Sequence, residues 1–149
     1  MADEAIATIQ VSVLPDEIRK TLSSTMTVTP ADANDKFYYK LTSVSNSSTD
    51  LIAGAFLDYT AVDDDTAPTA VSTSDKVKFL FVKNVDTNSR SIYLVLDAGT
   101  ASSSVTDGIT IGPNEFFCAR LPNTTVADIH AISSASTAEA IVVALLDDV

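Results

Sequence analysis

The sequence offers one pair of residues for nucleophilic catalysis, Cys118 and His130, each the only residue of its type. A thiol needs a basic partner to become a nucleophile. Cys118 lies in an alternating segment, residues 115–121, and no family signature surrounds either residue. The simpler interpretation is that Cys118 is a small buried hydrophobe. We therefore predict that the chain is not an enzyme, with a remote Cys–His pair as the alternative.

A second set of reactive side chains is acidic, namely Asp58 and the run Asp63, Asp64 and Asp65. Calcium takes six to eight oxygen ligands, usually from alternating positions around a sharp glycine turn. Three adjacent aspartates cannot all face one ion, so we expect a solvated loop. The four glycines are widely spaced and no His/Cys cluster has zinc spacing, so we expect no metal and no cofactor.

Charge excludes two classes of partner. The chain has 9 Lys and Arg against 20 Asp and Glu, a formal net charge of -11. Nucleic acids and anionic membranes both select basic surfaces, so we expect neither as a direct partner. Six aromatic residues could stack on bases only beside basic residues, and we expect them to face the core on one side and an interface on the other. They are Tyr38, Tyr39, Phe79, Phe81, Phe116 and Phe117.

The start of the chain carries Asp3 and Glu4 where a secretory signal would carry basic residues. No apolar run approaches the ~20 residues that a membrane-spanning helix needs. We expect a protein that is made in a cytoplasm and stays soluble there.

The first 25 residues are predicted to form an N-terminal arm or edge strand. Residues 8–13 alternate apolar and polar side chains, a pattern typical of a half-buried strand. Such a strand could pair with the sheet edge of a neighbouring molecule, which makes Ile9, Val11 and Val13 the candidate interface residues. Residues 15–20 are the best helical candidate, because proline precedes acidic and then basic residues.

From residue 77 the strand pattern is regular. Strand-like segments recur about every ten residues, separated by turns rich in Asn, Asp, Ser and Pro. The sequence predicts one all-β domain over residues 1–149, an antiparallel β-sandwich or jelly-roll-like barrel with at most one short helix. Residues 77–146 are its best-defined portion.

The order of these segments resembles small β-sandwich virion proteins of tailed bacteriophages, which include capsid decoration (cement) proteins and head–tail or tail accessory proteins. The resemblance covers residues 77–146. It rests on an aliphatic strand ending in Asn, a second aliphatic strand, an I-x-I-G-P-x-E turn and an I-x-A-x-S segment before an apolar terminal strand. These are residues 79–86 (FLFVKNVD), 91–97 (SIYLVLD), 109–115 (ITIGPNE), 127–134 (ADIHAISS) and 140–144 (AIVVA).

The resemblance implies a structural virion protein, made in the host cytoplasm, that binds the outer capsid surface and stabilises the head lattice. The implied partners are the major capsid protein or other virion proteins, and copies of the chain itself in a homo-oligomer such as a trimer. Two alternatives stay open. One is a head–tail adaptor, tail or fibre-associated protein, and the other is a carbohydrate-binding β-sandwich module, which the absence of tryptophan disfavours.

Overall fold

Strands dominate the computed structural model, which describes residues 4–13, 20–31, 35–57, 68–106 and 108–147. The one helical element of these residues is a 3-10 turn at Val126–Asp128, so the all-β prediction is confirmed. The strands are β1 Ala5–Val13, β2 Lys20–Val28, β3 Lys36–Val44, β4 Thr49–Asp50, β5 Ala55–Leu57, β6 Pro68–Ala70, β7 Lys76–Asn84, β8 Ile92–Val95, β9 Ile109–Ile111, β10 Phe116–Arg120, β11 His130–Ser133 and β12 Ala138–Asp147.

Two four-stranded antiparallel sheets form the body of the domain. Sheet I has the order β10-β7-β12-β3 and sheet II has the order β4-β11-β8-β9. Two further pairs, β1 with β2 and β5 with β6, are separate two-stranded sheets. Each large sheet is open at both edges in the described part of the chain, so of the two predicted architectures the structure has the sandwich and not a closed barrel.

The core lies between the two large sheets. The inward side of β12 is built mostly from small residues, and Ala138, Ala140 and Ala144 are all fully buried. Ile92, Leu94 and Ile111 contribute large side chains from sheet II to the same cluster. Small residues on the central strand leave room for larger ones opposite, which is how a core reaches crystal-like packing density.

Strand β12 holds sheet I together because it pairs on both sides. It runs antiparallel to β3 from Ala138 to Leu146 and antiparallel to β7 from Ala140 to Asp147. The register with β7 shifts between Leu145 and Leu146, where Lys78 has no partner in the register, and Lys78 forms an ion pair with Asp147 at 2.7 Å. The strand that joins β3 to β7 is therefore also the last strand in the described residues.

The turn after β7 is held by a buried polar pair. The amide nitrogen of Asn84 donates to the carbonyl oxygens of Arg90 (2.7 Å) and Ile111 (3.1 Å), and its oxygen accepts the Asp86 N–H (3.0 Å). Asp86 in turn accepts the backbone N–H groups of Asn88 (2.8 Å) and Arg90 (3.0 Å). These bonds join the ends of β7 and β9 to the turn before β8.

Loss of the Asp86 carboxylate should give a pH-dependent defect. Donation by the Arg90 backbone N–H lowers the pKa of Asp86 below 3.8, against an opposing effect of burial and with help from Asn88 and the Arg90 charge. A lowered pKa means that the ionised form adds stability near neutral pH, and that this contribution disappears as pH falls through the folded-state value.

We therefore expect Asp86→Ala to lower the thermal unfolding midpoint by several degrees at pH 7, and the difference from wild type to shrink below pH 3.8. Asp97→Ala is the control, because Asp97 is exposed and accepts a single N–H, from Gly99. A defect that is constant down to acid pH would contradict the role given to the charge.

The N-terminal strand pairs within its own chain. β1 and β2 form an antiparallel hairpin from Ala5↔Val28 to Val13↔Lys20, which we call the arm. Because one edge of β1 is taken by β2, only the other edge is left for a neighbour's strand. Lys20 opens β2, so the predicted helical turn at residues 15–20 is wrong at its last residue, and its other residues lie outside the described part of the chain.

Candidate interaction surface

The arm has two chemically different faces, as its alternating sequence requires. On one face the described residues are apolar apart from Ser24 and Lys20, and include Ala7, Ile9 and Val11 from β1 and Leu22, Met26 and Val28 from β2. The other face is rich in hydroxyl groups. There Thr8 bonds to Thr25 at 3.2 Å, and Ser12 bonds to Thr21 at 3.3 Å.

The base of the arm packs its apolar face on the outer face of sheet I. Val28 is buried there with Phe79 of β7 and Leu145 of β12, in a cluster separate from the main core. Ala5, Ala7, Met26, Phe37, Phe81 and Cys118 are half-buried around these three. This second cluster anchors the arm to the sandwich.

Beyond its base the arm is exposed on both faces. The apolar face continues to Val11, which is 49% exposed, and Leu22, which is 67% exposed. These two residues face each other across the hairpin. We call residues 9–13 and 20–24 the distal arm. An isolated two-stranded hairpin is at best marginally stable in water, so the distal arm has the properties of a segment that gains stability from a partner.

The rest of the outer face, which the arm covers only in part at Phe81 and Cys118, is also apolar apart from Lys83. The strand register aligns Phe116, Lys83, Ile141 and Leu41 in one row across the sheet, and Cys118, Phe81, Val143 and Tyr39 in the next. Three of these side chains are largely in solvent: Leu41 is 60% exposed, Tyr39 is 66% and Phe116 is 52%. The Phe116 ring stacks on Phe81 with 5.7 Å between centroids. We call these two rows the open rows.

A groove of about 470 Å³ lies between the arm and the open rows. Ile6 and Ile9 line one side, while Phe81, Phe116 and Val143 line the sheet side. Among the described residues that line the groove, Lys83 is the one with a charge. The groove is therefore suited to apolar side chains and not to polar small molecules.

Within the described residues, the large exposed hydrophobic side chains lie on the arm and on the outer face of sheet I. In the described residues six large apolar side chains are exposed, and each belongs to the arm or to the outer face of sheet I. They are Ile6, Val11, Leu22, Tyr39, Leu41 and Phe116. Scattered exposed apolar residues need no explanation, but a contiguous group marks an interaction site.

Two of the three predicted interface residues, Ile9 and Val11, lie on the arm where it borders the groove or is exposed. Ile9 is half-buried at the groove and Val11 is exposed on the apolar face of the arm. Val13 pairs with Lys20 in the backbone register, and its side chain lies outside the described part of the structure. Sequence reasoning missed Leu22 and Leu41, although alternation in residues 20–28 and 36–44 was available as a signal.

The aromatic residues divide as the alternation predicted. Tyr38 is fully buried in the core, whereas its neighbour Tyr39 is exposed on the outer face. Phe117 packs against the main core and Phe116 is exposed. That the outward members serve an interface stays a prediction.

The two candidate catalytic residues are not brought together. Cys118 is on β10 of sheet I, partly covered by the arm, where burial raises the pKa of its thiol and so disfavours the thiolate. His130 is on β11 of sheet II, with Nε2 3.1 Å from the Asp50 carboxylate and Nδ1 2.7 Å from the Gly99 carbonyl oxygen. These contacts give the imidazole a structural role, linking β11 to β4 and to the loop after β8.

The acidic candidates, Asp58 and Asp63 to Asp65, lie outside the described residues. Within the described residues no group of three or more His, Cys, Asp or Glu side chains is arranged to hold a metal ion. None of the described residues form a helix with the length and hydropathy to span a membrane.

No family model, no curated protein and no solved structure matches this chain.

Proposed function

We propose that this chain is a structural virion protein, without catalytic activity, that binds the outer surface of a phage capsid and stabilises the head lattice. The observation that carries the proposal is the apolar surface formed by the distal arm and the open rows. The resemblance of residues 77–146 to phage virion proteins supplies the virion context.

The arm supports an assembly role on physical grounds. The body has its own core, so the arm is not needed to complete the sandwich. Its apolar face nevertheless continues past the last contact with the body to Val11 and Leu22. Exposed apolar area is a liability for a free monomer and an asset for a subunit that is bound to neighbours.

Charge supports the same proposal. β1 has no charged residue and β2 has only Lys20. The net charge of -11 is therefore carried elsewhere, where it keeps unassembled subunits soluble. In the part of the chain that the structure describes, this surface carries no carboxylate, so subunits can approach through it without the repulsion that the rest of the chain would generate.

The test is to add the purified protein to heads of the same phage assembled without it, and to heat the particles. We expect binding at many sites and a rise of several degrees in the temperature at which heads disrupt. The variant Val11→Ser/Leu22→Ser should give a smaller rise, because it removes the exposed apolar pair of the arm. Its own unfolding free energy should change by less than about 0.5 kcal/mol, since both positions are exposed.

The matched control is Gln10→Ala/Ser23→Ala, a cross-strand pair on the hydroxyl-rich face of the same arm. It should behave like wild type. Failure of the wild-type protein to bind heads would sink the decoration proposal. Labelling of intact particles separates the head from the tail: copies over the shell support decoration, and copies at one vertex support the adaptor or tail alternative.

A further inference from the structure

The arm and the open rows are complementary to each other as well as apolar. The base of the arm already packs on the outer face of sheet I, where Val28 meets Phe79 and Leu145. The distal arm continues the same apolar face, and the open rows continue the same sheet face. Within one chain, only the base of the arm packs on the sheet. The distal arm and the open rows could make the same kind of contact, but they do not make it with each other in the same chain.

The two unpaired surfaces match in size. A row across four strands is about 14 Å wide, from three interstrand spacings. The distal arm, about five residues in each strand, is about 16 Å long. The distal arm is thus long enough to cover an open row from Phe116 at one edge of the sheet to Leu41 at the other.

Charge favours the same pairing. Among the described residues, the open rows carry one charged side chain, Lys83, and the strands of the arm carry one, Lys20. The two surfaces therefore hold two cations and no carboxylate, in a chain of net charge -11. Two copies can approach through these surfaces without bringing their acidic regions together.

We propose that the occupant of the open rows is the distal arm of a second copy of this chain. Val11 and Leu22 of one copy then pack on Tyr39, Leu41 and Phe116 of the other. The inference deepens the proposed function, on which it rests, by naming the partner of the arm: within the layer of subunits on the capsid, the arm joins neighbouring subunits to each other.

The test is a complementation experiment followed by light scattering and analytical ultracentrifugation of the full chain. The arm variant is Val11→Ser/Leu22→Ser and the face variant is Tyr39→Ser/Leu41→Ser. Each alone should associate about 100-fold more weakly than wild type, from the loss of two exposed apolar side chains that the contact would bury. A mixture of the two should form 1:1 heterodimers, because it contains one intact arm and one intact face.

Circular dichroism and unfolding curves check that both variants keep the wild-type fold, which the exposure of all four positions predicts. Gln10→Ala/Ser23→Ala should associate like wild type. The inference is overturned if wild type stays monomeric into the millimolar range, if either variant associates like wild type, or if the mixture stays monomeric. A wild-type protein that binds heads as a monomer would overturn the inference and leave the proposed function standing, whereas self-association without head binding would do the reverse.

Discussion

Asn84→Ala is expected to destabilise the domain by about 3 kcal/mol, because one fully buried amide serves three backbone groups. Its nitrogen donates to the carbonyls of Arg90 and Ile111, and its oxygen accepts from the N–H of Asp86. Alanine leaves two carbonyl oxygens and one N–H without these partners inside the protein. Urea unfolding followed by circular dichroism measures the loss.

The chemistry of the amide, and not its volume, should decide the size of this effect. Asn84→Asp keeps the shape but turns a carboxylate oxygen toward the two carbonyls, so we expect it to be at least as damaging as alanine near neutral pH. Asn123→Ala, in an exposed turn, is the control and should cost less than about 0.5 kcal/mol. An Asn84→Ala protein as stable as the control would show that the three hydrogen bonds of the Asn84 amide do not stabilise the domain.

The second large effect is expected at the anchor of the arm. Leu145 is fully buried on the outer face of the central strand, between Phe79 on β7 and Phe37 on β3 and beneath the base of the arm. Leu145→Ala should cost about 3 kcal/mol of unfolding free energy, the usual range for a buried leucine whose cavity does not collapse. It should also speed hydrogen exchange of the arm amides, since the arm loses a main contact.

Ile141→Ala is the matched control, because Ile141 is on the same strand and the same face but in an open row. It is half-buried, so we expect about 1 kcal/mol or less and no change in the protection of the arm. Equal effects at the two positions would show that the arm does not depend on this contact.

The sequence predicted an all-β sandwich or barrel because alternation sets both the strands and their faces. Tyr38 and Tyr39 are adjacent, and the period of two was enough to send one to the core and the other outward. Ile9 and Val11 were likewise predictable as one face of a strand. These features depend on local order alone.

The surface as a whole was not predictable, because it depends on pairings between distant segments. Leu41 and Phe116 lie at opposite ends of one row, and they share it only because β12 and β7 lie between β3 and β10. The hairpin was not predicted because residues 15–20 have the charge pattern of a helix. The strand that follows them, β2, instead pairs antiparallel with β1. Asn84 looked like the end of a strand, and its role depends on Ile111, 27 residues away.

The central position of β12 has a consequence for biosynthesis. Translation makes β3 and β7 long before the strand that lies between them, so sheet I has no continuous hydrogen-bond ladder until Ala138–Asp147 leaves the ribosome. Until then one edge of each nine-residue strand, β3 and β7, is open to other chains, and so are the apolar side chains on both faces of these strands. The nascent protein is thus exposed to aggregation until β12 has been made and has paired with β3 and β7. The chain acquires its arm before it completes the sheet on which the arm rests.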